Sequence, residues 1–431
     1  MSTTMERIQT KQMTVGVIGL GYVGYPLALL FAEAGFQVVG FDIDSTKVDS
    51  INAGRGYIRH ISEERIHAAW SKGHIRATID LKEVRQCEAL IICVPTPLTK
   101  TLEPDLTYIE TTCREIAPHL PPGSLVSLES TTWPGTTDEI VRPILTSSGL
   151  KIRENLFLAY SPEREDPGNP TYQTQNIPKL VGADDPESLA LAVALYSKAV
   201  AEVIPLASTR VAEAAKLFEN VFRSVNIALV NELKMILDAM QIDVWQVLRA
   251  AATKPFGFMP FWPGPGLGGH CIPIDPFYLA WKAKEFGVQT RFIELAGEIN
   301  RSMPSWVVRK VQDCLNDHGK PLKGARILIL GLSYKPDIDD MRESPTLELI
   351  RLLEEKGAVV EYHDPYIPVL PSTREYSNLK GRQSRSLSRE YDCFLVSTQH
   401  SCFSAADLLS YQVPVIDTRH LLPTHHLVYH A

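Results

Sequence analysis

One thiol in this sequence stands where chemistry could happen. The segment Gly264-Pro-Gly-Leu-Gly-Gly-His-Cys-Ile-Pro-Ile-Asp-Pro276 sets Cys271 among residues with almost no side-chain bulk. A cysteine that merely fills a core sits more often among aliphatic residues of a strand or helix, and Cys87 and Cys93 fit that description. Around Cys271 the glycines would let a substrate come close to sulfur. Attack requires the thiolate, so a neighbouring cation or helix end must lower the thiol pKa. His270 is adjacent, but neighbours in an extended loop point opposite ways, and it is expected to be structural. Upstream, Lys216 and Asn220 are four residues apart in a helix-forming stretch, hence on one face. Both donate hydrogen bonds, as a developing oxyanion requires. An exposed helix face would show the same spacing, so this pair alone decides nothing.

A second constellation lies near the N-terminus. Gly19-Leu-Gly-Tyr-Val-Gly24 follows the apolar run Val15-Gly-Val-Ile18 and opens a helix-forming stretch, Tyr25 to Ala34. Gly19 allows a tight turn, Gly21 lets backbone approach a pyrophosphate, and Gly24 permits close helix–strand packing. The phosphates would meet N–H groups at the helix start, around Tyr22 and Val23. The next apolar run ends at Asp42, eighteen residues after Gly24. An acid there accepts from a ribose 2′-hydroxyl and repels a 2′-phosphate, which selects NAD over NADP. FAD uses the same fingerprint, although nothing else in the chain speaks for a flavin. The plainer alternative is that these glycines only shape a turn in a non-binding α/β domain.

These residues need a scaffold, and the apolar pattern supplies one. Short apolar runs at residues 15–18, 36–41, 89–94, 125–128 and 156–159 alternate with helical segments, which implies a parallel sheet covered on both faces. From Thr209 to Met240 no Pro or Gly occurs, and a helix of that length would extend roughly 48 Å. Such a helix is expected to connect two domains and to pack against a partner subunit. Thr253 to Pro276 is rich in Pro and Gly and must be ordered loop or tight turns. Further strands at 325–331, 359–362, 393–396 and 413–416 repeat the α/β plan. The expectation is therefore two doubly wound, Rossmann-like α/β domains joined by a long central helix. The boundaries are 1–208 for the dinucleotide domain, 209–305 for the central helical region with the cysteine loop, and 306–431 for the C-terminal α/β domain.

Bulk properties narrow the class. The 431 residues are 45% hydrophobic and 22% charged, ordinary for a soluble globular chain. A net charge of −7 argues against a nucleic-acid or anionic-membrane binder. No apolar run approaches the ~18 residues that span a bilayer, and residues 1–13 lack the apolar core of a signal peptide. The seven scattered cysteines suggest reduced thiols and a cytoplasmic setting. No metal is signalled; His425, His426 and His430 are expected to lie in a solvated tail.

Taken together, several stretches make the chain similar, from end to end, to the UDP-glucose/GDP-mannose dehydrogenase family of nucleotide-sugar 6-dehydrogenases. They are Gly19-Leu-Gly-Tyr-Val-Gly-Tyr-Pro26, Val94-Pro-Thr-Pro97, Glu129-Ser-Thr-Thr-Trp-Pro-Gly135, Ser161-Pro-Glu-Arg164, Glu213-Ala-Ala-Lys-Leu-Phe-Glu-Asn220, Gly268-Gly-His-Cys-Ile-Pro-Ile-Asp275 and Lys335-Pro-Asp-Ile-Asp-Asp-Met-Arg-Glu-Ser-Pro345. The resemblance implies that Cys271 is the nucleophile, that Lys216 and Asn220 stabilise oxyanions, and that Asp275 and Thr131 hold or activate the hydrolytic water, with Glu163 in the same polar network. It implies NAD contacts at Val23, Asp42, Lys47, Thr96, Thr131 and Arg342. Lys335 would bind the substrate's uridine diphosphate, with Arg164, Lys216, Asn220, Phe261 and Gly268 also at substrate-binding positions, and the long helix would help build a homodimer or a higher homo-oligomer.

The implied activity is a four-electron oxidation at carbon 6 of a UDP-sugar, using two NAD and a cysteine thioester. Ser161 to Asn169 and Lys254 to Gly266 look most like bacterial UDP-N-acetylglucosamine 6-dehydrogenases of surface-polysaccharide synthesis. UDP-glucose enzymes typically carry an arginine in the loop before the cysteine, and here the nearest Lys or Arg upstream is Lys254. UDP-glucose, UDP-N-acetylmannosamine and UDP-N-acetylgalactosamine stay open as substrates. A two-electron dehydrogenase with a bystander cysteine and a non-catalytic nucleotide-sugar binder are the rival functions.

Overall fold

The computed structural model describes residues 3–58, 61–99, 101–165, 171–172, 174–269, 271–373 and 375–431. The expectation for His270, and the part of the Ser161–Asn169 stretch beyond Glu165, lie outside the described residues. The chain divides into two compact units. One comprises Met1–Glu219 with Phe277–Val288, the other Asn220–Pro276 with Gln289–Ala431.

The first unit is built on eight strands: β1 (Thr14–Ile18), β2 (Gln37–Phe41), β3 (Ile75–Thr78), β4 (Ala89–Ile92), β5 (Ser124–Leu128), β6 (Leu156–Tyr160), β7 (Lys179–Gly182) and β8 (Val203–Leu206). They lie in the order β3-β2-β1-β4-β5-β6-β7-β8. β1 pairs in parallel with β2 (Val15 opposite Val38) and with β4 (Val15 opposite Ala89). Every residue of β4, β5 and β6 is buried, which is why these strands read as unbroken apolar runs rather than alternating ones. β7 turns back antiparallel to β6. The strand order reverses between β1 and β4, and in open α/β sheets ligands bind beyond the carboxyl ends of the strands at such a point.

The second unit holds five strands: β9 (Arg326–Leu330), β10 (Val359–His363), β11 (Cys393–Val396), β12 (Val415–Asp417) and β13 (Val428–His430). All pairings are parallel and the order is β10-β9-β11-β12-β13, so the reversal falls between β9 and β11. The helix Thr209–Ala239 starts in the first unit and continues into the second, the division falling between Glu219 and Asn220. The doubly wound expectation holds for both sheets.

The histidine tail needs correction. Val428–His430 forms the edge strand β13, with Val428 opposite Val415, and Ala431 is fully buried. The short apolar stretch Leu427-Val-Tyr429 is a strand signal that three histidines nearby disguised.

Candidate active site

The first unit gathers its chemistry at the carboxyl ends of its strands. After β1, Gly19 has φ +92°, and a Cβ there would meet the carbonyl oxygen of Cys93 at 2.5 Å. A Cβ on Gly24 would lie 1.9 Å from the carbonyl oxygen of Gly19, so the start of the helix Gly24–Glu33 packs directly on the turn. Gly21 faces open space, with nothing within 4 Å of a Cβ built there. No side chain caps the helix, whose first turn holds no acid. That leaves its positive end available to an anion. Tyr22 and Val23 are half-buried beside it. At the end of β2, Asp42 accepts from the N–H of Leu20 (2.8 Å), the N–H of Asp44 (3.0 Å) and Lys47 Nζ (3.1 Å). Thr96 follows β4 and is buried, while Thr131 follows β5 and is half-buried.

Glu163 and Arg164 follow β6. Glu163 Oε1 accepts from the N–H groups of Arg164 and Glu165, both at 2.7 Å. Burial works against its charge, but Lys179, those two N–H groups and Lys216 outweigh it and hold the carboxyl below the usual range. Arg164 is gripped by Glu219 (2.7 Å) and donates to the carbonyl of Pro178 (2.6 Å). Lys216 is buried on the long helix. Three residues earlier, buried Glu213 accepts from the N–H groups of Gly135 (2.5 Å) and Thr137 (2.9 Å) and from Thr137 Oγ1 (2.7 Å).

In the second unit, Cys271 is half-buried on the turn that starts the helix Asp275–Glu285. Its carbonyl accepts from the N–H groups of Asp275 (2.8 Å) and Ile274 (3.1 Å). Asp275 is buried and its Oδ2 accepts from Asn220 Nδ2 at 2.6 Å. The structure thus brings together Asn220, Asp275 and the cysteine turn. Beneath the glycine loop runs a buried amide chain. Gly264 N–H donates to Asn231 Oδ1 (3.0 Å), Asn231 Nδ2 to Asn300 Oδ1 (2.9 Å), and Asn300 Nδ2 to the carbonyl of Ser224 (3.1 Å).

The bareness of the loop glycines serves protein neighbours as well as any ligand. A Cβ on Gly268 would meet Tyr334 Cβ at 2.5 Å, one on Gly269 would meet the Tyr334 ring at 2.9 Å, and one on Gly264 would meet Arg419 at 2.4 Å. Gly269 N–H donates to the carbonyl of Arg342 (2.9 Å), whose guanidinium holds Asp340 (2.6 Å). Phe261 packs edge-on against Phe222, centroids 5.7 Å apart.

A cavity of about 500 Å³ opens in this unit. It is lined after β9 by Tyr334, Lys335 and Pro336, after β11 by Gln399 and after β12 by Arg419 and His420. Trp245, Arg249 and Trp262 complete it. Trp245 stacks with Trp262 (5.6 Å, 11°) and with His420 (5.3 Å, 17°). Arg419 donates from Nε to the carbonyl of Ser397 (2.8 Å), and burial brings its pKa down to about 10. The pocket lies beyond the carboxyl ends of β9, β11 and β12, at the reversal of strand order.

Three family models match the chain in succession. They describe the NAD-binding domain (residues 13–200), the central domain (210–302) and the UDP-binding domain (328–424) of one family. The chain belongs to the UDP-glucose/GDP-mannose dehydrogenase family. It is 35% identical to the UDP-N-acetyl-D-glucosamine 6-dehydrogenase of Pseudomonas aeruginosa, over 91% of this chain and 92% of that protein. It is 36% identical to the NDP-N-acetyl-D-galactosaminuronic acid dehydrogenase of Ralstonia nicotianae, over 94% and 95%. The solved structure of a UDP-D-ManNAc dehydrogenase from Pyrococcus horikoshii superposes with a TM-score of 0.86 at 30% identity, covering 96% and 97% of the two chains.

The dehydrogenase uses NAD, and the first unit fits it. The φ of Gly19, the open space at Gly21, the uncapped helix and Asp42 are the features that a pyrophosphate and an adenosine ribose require. The second unit contains the family's UDP-binding domain, and its cavity joins aromatic rings, which can stack on a base, with the cations Lys335, Arg249 and Arg419, which can pair with phosphates. Sequence reasoning found Lys335 there but missed Trp245, Arg249, Arg419 and His420. The Asp417-Thr-Arg-His420 stretch following an apolar run was the available signal, since cations at strand ends of a doubly wound sheet are candidates for anion binding. Lys179, at the start of a strand not foreseen, was missed as well.

Proposed function

We propose that the enzyme oxidises carbon 6 of a UDP-N-acetylhexosamine, in the first instance UDP-N-acetylglucosamine, from alcohol to carboxylate through a thioester on Cys271. The observation that carries the chemistry is the bond between Asn220 and buried Asp275, one helical turn beyond a cysteine set among glycines. NAD, when bound, supplies the hydride acceptor, and two are consumed with one water per acid formed.

The residues divide the remaining work. Carbon 6 loses a hydride and its hydroxyl loses a proton to give the aldehyde, and the Cys271 thiolate adds to the aldehyde carbon. Lys216 and Asn220 donate to the oxyanion of the resulting thiohemiacetal. Loss of a second hydride leaves the thioester. Asp275 and Thr131 hold the water that attacks it, with Glu163 in their polar network. The C–S bond then breaks, the sugar leaves as a carboxylate, and the thiolate is restored. Val23, Asp42, Lys47, Thr96, Thr131 and Arg342 are the proposed NAD contacts. Lys335, Arg164, Phe261 and Gly268 are proposed for the substrate.

Support for N-acetylglucosamine comes from the Pseudomonas relative and from the Ser161-Pro-Glu-Arg-Glu165 and Lys254–Gly266 stretches. The Ralstonia and Pyrococcus relatives favour N-acetylgalactosamine or N-acetylmannosamine as a second reading. A panel of UDP-sugars with NAD, analysed by product mass, separates them. One epimer should give an N-acetylhexosaminuronate; turnover of UDP-glucose alone would refute this reading.

The outer face of the long helix supports a homo-oligomer. Phe218, Phe222, Leu229, Ile236 and Met240 recur at spacings of four and seven, and Phe218, Leu229 and Ile236 are 67%, 58% and 51% exposed. A cytoplasmic setting, with the cysteines reduced, belongs to the same proposal.

A further inference from the structure

Glu163 has a partner that no motif pointed to. β6 and β7 are antiparallel, with Tyr160 opposite Gly182. Glu163 lies three residues past the end of β6, and Lys179 is the first residue of β7. Lys179 Nζ reaches Glu163 Oε2 (3.3 Å), Glu129 Oε2 (2.9 Å) and the carbonyl of Pro162 (3.3 Å), and is itself buried. Tyr196 closes the far side, donating from its hydroxyl to Glu129 Oε1 (2.6 Å) and presenting its ring to Nζ at 5.4 Å.

We propose that Lys179 is a positioning residue for the oxidation, fixing Glu163 as an oriented anion at the carboxyl edge of the first sheet, where its field acts on Lys216. The proposal rests on the reading of Glu163 as part of the reaction's polar network.

A buried ion cluster is a weak source of stability, because apolar residues of the same volume would serve the fold as well. Its form here suits a different purpose. Both oxygens of Glu163 are held, Oε1 by two backbone N–H groups and Oε2 by Lys179. The carboxylate can neither turn nor easily take a proton. Glu129 shares the same ammonium, has no backbone donor among the described residues, and its carboxyl is driven up by burial. Lys216 is the further cation whose charge Glu163 feels. The other titratable groups around the cluster are the thiol of Cys93, the hydroxyl of Tyr196 and the carboxyl of Glu165. Burial pushes all three up; the thiol and the hydroxyl, which start above neutrality, are uncharged at moderate pH.

The test is the pH profile of kcat for the full-length enzyme, from about pH 5 to about pH 9, with saturating NAD and UDP-sugar. Lys179→Gln removes the cation, raises the Glu163 pKa and should move the acidic limb up by roughly one pH unit or more, with KM for NAD unchanged. Lys179→Arg should restore the limb. If Lys179→Gln does not fold, Glu129→Gln carries the test with the opposite sign: it frees the ammonium for Glu163 and should move the limb down. A uniformly lower kcat with an unmoved limb in these variants would make Lys179 a structural residue and overturn the proposal. Glu163→Gln gives a separate outcome, since undiminished kcat there would remove the underlying reading of Glu163.

Discussion

At the end of β2 a single carboxylate, Asp42, accepts from Leu20 N–H, Asp44 N–H and Lys47, and so ties the glycine turn to the next strand. An adenosine ribose would bring further donors to the same group. Asp42→Ala should therefore weaken NAD by tenfold or more, since a hydrogen bond to a charged group contributes roughly 1.5–3 kcal/mol. It should also narrow the preference over NADP. Titration of NAD and NADP by fluorescence decides this, and an unchanged NAD affinity would refute the assignment. The surroundings of Cys271 define what it can do: a half-buried sulfur on a turn whose carbonyl is bound by Asp275 N–H. Cys271→Ala should abolish acid formation while UDP-sugar still binds, because the nucleotide cavity has its own residues. Loss of binding in calorimetry would show a folding residue instead.

At the scale of elements, Glu213 fastens the first turns of the long helix to the Trp133–Thr137 segment through three hydrogen bonds. Burial, against those donors, pushes its carboxyl up to about 7 from an ordinary value of 4.5. The folded chain therefore holds this proton to higher pH than the unfolded chain does. Stability from the group is complete below about pH 4.5, falls as pH climbs toward about 7, and is lost above it, a change on the order of 3 kcal/mol. Glu213→Gln should flatten that fall, as measured by urea unfolding at several pH values. An unaltered slope would place the titration elsewhere. Most of the fold was legible at this scale. Strands β1, β2, β4, β5, β6, β9, β10, β11 and β12 and the long helix follow from apolar runs and from the absence of Pro and Gly. Strands β3, β7, β8 and β13 did not, because each is three or four residues long and three carry polar or basic residues. Losing β7 concealed Lys179, whose contact with Glu163 depends on β7 lying beside β6. In the site, motif residues such as Asn220 and Asp275 were legible as a set. The cavity residues Trp245 and Arg419 were not, because stacking and convergence at strand ends depend on long-range packing.

Across the whole molecule, each sheet gathers its candidate binding residues beyond the carboxyl ends of its strands, where strand order reverses. The first sheet lies in the family's NAD-binding domain and the second in its UDP-binding domain. The exposed apolar face of the long helix is the surface proposed to meet a second copy of the chain. Leu229→Asp with Ile236→Asp should halve the mass seen by light scattering; a monomeric wild-type enzyme would contradict the oligomer. The central claim concerns a covalent bond, so it is tested most directly by trapping one. Enzyme mixed with NAD and UDP-sugar should be quenched in acid during turnover and its peptides weighed. The peptide bearing Cys271 should carry the added mass of the acylated sugar nucleotide. An unmodified Cys271 peptide, together with uronate formed at normal speed by Cys271→Ser, would contradict it.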